Sequence, residues 1–479
     1  MKNYFILLLL CFTTITVVSQ NTITYEQVRQ AGLHIVEITT VNNEEPEGTI
    51  VESPLFPGSY NMVYKNKVPC KIVISKDGQI IYDSDEYIQK KSGATIRING
   101  NTTAYFSYPQ NMPYKIKLEK AADLLCRGND SIYKDKEWRL IKDAVSLNTM
   151  IGLKISQLLD LEWTPAYIPC NVIINGNYRG CYLLIENMKK NELCRINCDK
   201  QTGYIIEKDP YWWKETKYFS SNRYKDDNVY RWTWKYPDSD EVNEEQETYI
   251  KQYIESMEES LSNGNYEFYI DIMSFAKWIL VHDILGTRDS WGSNMFIKKY
   301  DNTDNSRLQL PCVWDFDSSY DVTPGSFSLL HTQENEYFHT LFNSSNRTFA
   351  TTYVTLWNEK KTEIFNKLYD FLNEYSNSDE ANALDISRVL NNKRWNYNYS
   401  TVNENIQHTY NWLQNHIELL DQNIQLIEIT SGITQNRVGI NNTGKTYYNL
   451  NAIKYNNKIK KNIQIFKNEN SKAKKVITK

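Results

Sequence analysis

Asp77-Gly78 and Asn175-Gly176-Asn177 each interrupt a pair of apolar, β-branched runs: Cys70–Ile74 with Ile80–Tyr82, and the two halves of Asn171–Glu186. An Asx-Gly pair between such runs is a hairpin signal, because both residues tolerate the positive φ that a tight turn demands. The front half of the chain is thereby committed to antiparallel sheet. His34–Ile38 adds a further run, and Tyr114–Glu119 alternates with period two, projecting Lys115 and Lys117 from one face of a strand. Gly203–Glu207 reads as another strand. The same period in Tyr230, Trp232, Trp234 and Tyr236 predicts a row of rings on one strand face.

Farther along, the apolar period lengthens to that of a helix. Ala144–Leu159 carries Val145, Leu147, Ile151, Ile155, Leu158 and Leu159 near one stripe, and Pro165 and Pro169 close the region. Residues 244–261, 271–285, 353–373 and 402–428 pass the same test. Asn294–Tyr300 and Leu308–Trp314 read as strands on either side of a polar turn, Asp301–Ser306. Strands first and helices later predict an α+β fold with a β-rich N-terminal half and a helical C-terminal half.

Charge is unevenly spread. The net value is −4, yet residues 441–479 hold ten lysines against Glu469, so this tail carries +9 and the remainder −13. The overall balance gives no reason to expect nucleic acid as a partner over the whole surface, and the charge pattern is that of a basic tail on an acidic body. The tail is read as mobile or as a small strand module over residues 431–479. At the other end, Lys2, the apolar run Tyr4–Phe12, and Val17 and Ser19 ahead of Gln20 form a secretory signal peptide over residues 1–19. No later segment approaches a membrane span, so export to the medium or the cell surface is expected, with no transmembrane helix after signal removal. The exported chain would keep Cys70, Cys126, Cys170, Cys181, Cys194, Cys198 and Cys312, an odd set without the paired Cys-x-x-Cys spacing of a zinc site. Cys194 and Cys198 are close enough in sequence for a disulfide, or are buried thiols.

Chemistry concentrates in three places. Arg288-Asp289-Ser290-Trp291-Gly292-Ser293-Asn294 sets a carboxylate and an amide five residues apart on a loop between helix and strand. Phosphoryl transfer uses such a pair: the Asp orients the substrate hydroxyl and accepts its proton, and the Asn ligates Mg²⁺. Twenty-one residues after Asn294, Trp314-Asp315-Phe316-Asp317 delivers carboxylates from the end of an apolar strand, suited to a hard cation shared with phosphate oxygens. Upstream, Lys115 and Lys117 follow the loop Asn99-Gly100-Asn101-Thr102-Thr103, which could cover phosphates, and Glu186 ends an apolar strand where it could pair with a lysine. Taken singly, each is equally well a turn cap or a structural ion pair.

As an ordered set these stretches resemble the CotH kinase family, secreted or spore-coat proteins with an atypical protein-kinase-like fold: GNTT…YKIKLEKAADLL, KDKEWRLI, IINGNYRGCYLLIEN and RDSWGSNMFIKKY…LPCVWDFD. The resemblance covers residues 33–420 and implies an N-terminal β-rich segment over 20–104 and a kinase-like domain over 105–430. It implies binding of ATP and Mg²⁺ or Mn²⁺, and phosphorylation of Ser or Thr on extracytoplasmic protein substrates. By position it makes Asp289 the catalytic Asp, Asn294 and Asp315 metal ligands with Asp317 a further candidate, Lys117 the phosphate-contacting lysine, and Glu186 a lysine partner or metal ligand. The family's Arg-Gly-Asn is Asn99-Gly100-Asn101 here, with Arg97 the available substitute, and its Arg-Asn on the first long helix is replaced near Thr149 and Met150. Those departures keep open a non-catalytic surface, coat or adhesin-like protein that retains the fold. Trp212, Trp213, Trp232 and Trp234 motivate a third reading, a sugar platform, against their packing as core.

Overall fold

The computed structural model describes residues 22–128, 131–142, 146–223, 229–287, 294–320 and 335–433, and four strand segments between 446 and 477. The region expected to be a signal peptide, residues 1–19, lies outside the described residues.

After a capped first helix, α1 (Tyr25–Gln30), the chain enters a β-rich half: β1 (His34–Thr40), β2 (Gly48–Glu52), β3 (Tyr60–Tyr64), β4 (Val68–Lys76), β5 (Gln79–Asp83), β6 (Ala94–Ile98), helix α2 (Thr102–Ser107), β7 (Tyr114–Ala122), β8 (Asp135–Lys142), helix α3 (Ser146–Leu158), β9 (Tyr167–Ile174) and β10 (Asn177–Glu186). Both Asx-Gly signals are hairpin turns with positive φ at each residue: Asp77 (52°) and Gly78 (79°) join β4 to β5, and Asn175 (50°) and Gly176 (72°) join β9 to β10. The strand order β1-β9-β10-β8-β7-β6-β4, with β4 returning to β1, closes this sheet into a barrel. β4 manages three neighbours because β6 pairs with its first residues and β5 with its last. Closure removes the open edges of the barrel wall. Inside lie Val36, Ile72, Ile96, Ile116, Trp138, Leu140, Val172, Tyr182 and Leu184, all nearly sealed from solvent.

The second half begins with β11 (Tyr204–Asp209), β12 (Tyr218–Phe219) and β13 (Arg231–Tyr236), followed by α4 (Glu244–Asn263), α5 (Ile272–Leu285), β14 (Met295–Lys299) and β15 (Leu308–Gln309). These strands form a second sheet in the order β12-β13-β11-β14-β15. Helices α6 (Glu336–Asn343), α7 (Thr348–Ser376), α8 (Asp379–Trp395) and α9 (Val402–Ile433) complete it. α5 is buried from Phe275 to Leu285 except at Lys277, with only His282 and Asp283 polar among the buried positions, as suits the central helix of a packed half. Asp271 caps its start by accepting from Ser274 N at 3.0 Å, and Gly286, at φ 56°, ends it in the left-handed conformation. The molecule is therefore α+β, β-rich in front and helical behind.

Three local expectations change. The strand predicted over Leu308–Trp314 stops at Gln309, because Pro311 has no N–H for a ladder and the Leu310 amide is taken by Ser274 Oγ at 2.8 Å. The ring row on β13 is broken by a bulge at Lys235, since Trp234 pairs with Ile206 but Tyr236 with Ile205. Trp232 and Trp234 are consequently core residues, 1% and 6% exposed, beside Phe219, and the sugar-platform reading loses its central rings. No disulfide links Cys194, Cys198 or the other described cysteines. The C-terminal segments Thr446–Tyr448, Lys454–Tyr455, Ile463–Lys467 and Lys474–Ile477 pair as a separate antiparallel sheet. Among the described residues, no helix is long and apolar enough to cross a membrane.

Candidate active site

Three adjacent barrel strands turn cations outward in one row. On β6, β7 and β8 the side chains of Ile96, Ile98, Tyr114, Ile116, Leu118, Trp138 and Leu140 fill the barrel, so the pleat sends Arg97, Lys115 and Arg139 to the other face. Register sets them side by side: Arg97 is opposite Lys115, and Lys115 is opposite Arg139. The next row holds Thr95, Lys117 and Glu137. Glu137 receives Lys115 Nζ at 2.8 Å, Lys189 Nζ at 3.7 Å and Asn187 Nδ2 at 2.8 Å. Burial would raise its carboxyl, but Lys115 and Lys189 pull it down to about 2. Burial, reinforced by Arg139 and Arg97, lowers the Lys115 ammonium to about 8 against the pull of Glu137. Burial and Arg97 likewise lower the Arg139 guanidinium to about 10, which leaves it charged at neutral pH. Lys115 is paired with Glu137, whereas Arg97 and Arg139 have no carboxylate within ion-pairing distance among the described residues, and this surplus of positive charge suits an anion.

The second sheet supplies the opposite wall. The bulge on β13 aims Lys235 at Glu207 of β11, with Nζ and Oε2 2.7 Å apart. Burial dominates there and pushes the Glu207 carboxyl up to about 7, although Lys235 and Arg139 both favour its charge. Asp209, two residues on, accepts from Thr233 Oγ1 at 3.1 Å and from Tyr211 N at 2.7 Å. Asn294 precedes β14 at φ 56°, and because Met295 pairs with Lys208, Asn294 lies at the end of the sheet where Asp209 sits.

Between the walls runs Trp314-Asp315-Phe316-Asp317. Phe316 is 1% exposed and pinned, stacked on His282 of α5 with centroids 5.6 Å apart and seated against Gly152 of α3. Both flanking carboxylates are exposed, and Asp315 has φ 64°, a left-handed turn that few non-glycine residues adopt. The Asp315 charge acts on Arg139, whose guanidinium also lies 5.3 Å from the Trp314 ring, so cation row and carboxylates share one cleft. Thr103 Oγ1 donates to Asp317 Oδ2 at 3.4 Å, and Lys214 Nζ donates to Asn101 Oδ1 at 2.6 Å. The Asn99–Thr103 loop is thus fastened at the cleft from two sides.

The expected residues are distributed as follows. Asp315, Asp317 and the Lys115/Lys117 face of β7 converge on the cleft, with Lys115 turned into it and Lys117 exposed in the outer row. Asn294 lies at the end of the second sheet, and Asp289 lies outside the described residues. Glu186 is not beside the lysines. It shares the barrel-interior face of β10 with Tyr182 and Leu184, receives Arg127 Nη2 at 2.8 Å and Ala166 N at 3.0 Å, and leaves the lysine partnership to Glu137. Sequence reading missed Glu137, Arg139, Glu207 and Lys235. For the first two a signal existed: KDKEWRLI alternates, with Trp138 and Leu140 inward and Glu137 and Arg139 outward.

Among the described residues no group of three or more His, Cys, Asp or Glu could hold a metal ion by itself. Asp315 and Asp317 are exposed and the Asp315 charge reaches Arg139, so these two carboxylates could hold a hard cation only with ligands from outside the protein to complete its shell. No curated relative matches the chain. The family model described as CotH kinase protein matches residues 96–423, from β6 through most of α9, a span that takes in every element just described around the cleft. The chain belongs to the CotH kinase family.

Proposed function

We propose that the protein is an exported protein kinase that transfers the γ-phosphate of ATP to Ser or Thr of extracytoplasmic proteins. The observation that carries this reading is the in-register row Arg97, Lys115 and Arg139 facing Asp315 across one cleft. The row binds and orients the triphosphate by charge, and its surplus of cations favours the charge spread over the transferring group. Asp315 and Asp317, with Asn294, would hold Mg²⁺ or Mn²⁺, and the ion would supply neutralisation of negative charge on the phosphates. Asp289, by its position in the family motif, orients the acceptor hydroxyl and takes its proton as the new O–P bond forms and the bond to the leaving ADP oxygen breaks. Arg97 supplies a guanidinium on the strand leading to Asn99, where the family carries arginine, and its charge reaches Lys115. Residues 1–19 direct export.

One observation favours a second reading, a surface or coat protein that binds a partner without catalysis: Thr149 and Met150, where the family has Arg-Asn, are buried in α3, 6% and 1% exposed. Calorimetric titration with ATP and Mg²⁺ separates the two. Binding that Asp315→Asn abolishes supports the kinase, and no binding by the intact protein supports the partner-binding reading.

A further inference from the structure

Beside the cleft, on the outer side of Glu137, the chain forms a cavity of about 270 Å³ lined by Lys117, Lys134, Lys136, Lys189, Lys190 and Asn191 together with Asp135 and Glu137. The two acids in this lining are already engaged. Glu137 is bound to Lys115 at 2.8 Å and Lys189 at 3.7 Å, and Asp135 to Arg195 at 3.4 Å and to Asn191 Nδ2 at 3.0 Å. Lys189 is further engaged by Asp238 at 3.2 Å. Lys117, Lys134, Lys136 and Lys190, by contrast, have no carboxylate within ion-pairing distance among the described residues. Four lysines without a paired carboxylate thus line one concavity, and in a chain of net charge −4 nothing about overall composition brings them together.

Position adds to charge. Lys117 and Glu137 occupy the strand row directly beside Arg97, Lys115 and Arg139, so the cavity opens next to the cleft, one strand row away. A volume of about 270 Å³ accommodates one or two acidic side chains rather than a whole nucleotide.

We propose that this cavity is a docking site for an acidic stretch of the polypeptide substrate, with aspartate, glutamate or already phosphorylated residues seated among Lys117, Lys134, Lys136 and Lys190. The inference rests on the kinase reading for the word substrate, but not for the binding. It makes the protein selective for acceptors with acidic residues near the modified Ser or Thr. Recognition by lysines is point-charge recognition, so it tolerates varied acidic sequences and weakens steeply with salt.

The test compares the full chain with the double variant Lys134→Glu/Lys136→Glu, two lysines of the cavity that are not members of the row Arg97, Lys115 and Arg139. Fluorescence anisotropy measures the binding of labelled peptides carrying a central Ser in acidic, neutral or basic surroundings, with a single-stranded oligonucleotide of matched charge as a further probe. Calorimetry measures ATP in parallel. The acidic peptide is expected to bind at least tenfold tighter than the other peptides and the oligonucleotide, to lose that advantage at high salt, and to bind the double variant at least tenfold more weakly while ATP affinity is unchanged. If phosphotransfer can be measured, KM for the acidic peptide rises in the variant and kcat holds. Equal binding of acidic and basic peptides, tighter binding of the oligonucleotide, or a variant that loses ATP affinity but not peptide affinity overturns the proposal. Selective peptide binding without any ATP binding leaves the docking site standing and removes the kinase reading.

Discussion

Gly152→Ala is a one-methyl perturbation aimed at the centre of the site. A Cβ at position 152 of α3 meets Phe316 Cε1 and Cζ at 2.5 Å and Cδ1 at 2.6 Å. Carbon atoms in contact prefer about 3.5–4.0 Å, so the ring must withdraw by roughly 1 Å. It cannot do so freely, because His282 stacks on it at 5.6 Å and Trp278 in turn packs on His282 at 4.2 Å. Overpacking of this kind costs about 1–3 kcal/mol, and replacing a helical glycine returns about 1 kcal/mol. The net loss of stability is then roughly 0–2 kcal/mol. Function is expected to suffer far more. Asp315 and Asp317 are the neighbours of Phe316 in the chain, and a displacement of about 1 Å at a reacting centre can cost about 100-fold in rate. Denaturant unfolding and initial rates of phosphotransfer on the same preparation give both numbers. A variant at least 1 kcal/mol more stable than wild type and equally active would show that Phe316 does not fix the carboxylates.

Other perturbations follow from the same geometry. Lys115, lowered to about 8, is charged below that pH and loses its proton as pH rises through it, so ATP affinity should be flat near neutrality and fall above pH 8; an affinity unchanged up to about pH 9.5 removes Lys115 from phosphate binding. Glu137 works in the opposite sense. Its folded-state pKa, about 2, lies below the ordinary glutamate value, so the stability it contributes is complete above roughly pH 5 and disappears as pH falls through the folded value; Glu137→Gln should make unfolding less sensitive to acid between those limits. Trp138→Ala empties the middle of the barrel, where the indole is fully buried, and should cost about 3–5 kcal/mol in urea unfolding; a loss under 1 kcal/mol would mean that the barrel interior is not close-packed. Asp271→Ala removes the cap of α5 and should cost about 1 kcal/mol with no change in ATP affinity, measured by unfolding and calorimetry together.

Local rules reached far into this fold and stopped where distant segments meet. The two Asx-Gly turns were legible because hairpin geometry is decided by two residues. Helices α4, α5, α7 and α9 were legible because each buries a broad apolar face. Helix α8 was missed: it packs through small or polar residues such as Ala381, Ala383, Ser387 and Asn391, which leave no apolar period to detect. β8 was missed although Trp138 and Leu140 alternate with Glu137 and Arg139, because only two apolar residues carry the period in this short segment. In the site, Asp315 and Asp317 could be read from a contiguous motif. The cation row could not, since Arg97, Lys115 and Arg139 belong to strands whose alignment depends on register rather than on any spacing in the chain. Glu186 shows the converse. Ending an apolar strand suggested a lysine partner, but the pleat gives Glu186 to the barrel interior and Arg127, and Glu137 takes the lysine.

The most direct test of the account is label transfer from γ-labelled ATP with Mg²⁺ or Mn²⁺ to a Ser/Thr-rich acceptor such as casein, using the purified chain beside Asp315→Asn and Asp289→Asn and checking each fold by circular dichroism. The account predicts label on the acceptor with wild type and none above background with either folded variant. Equal label in wild type and Asp315→Asn, or a wild-type protein that neither transfers label nor binds ATP, would contradict it.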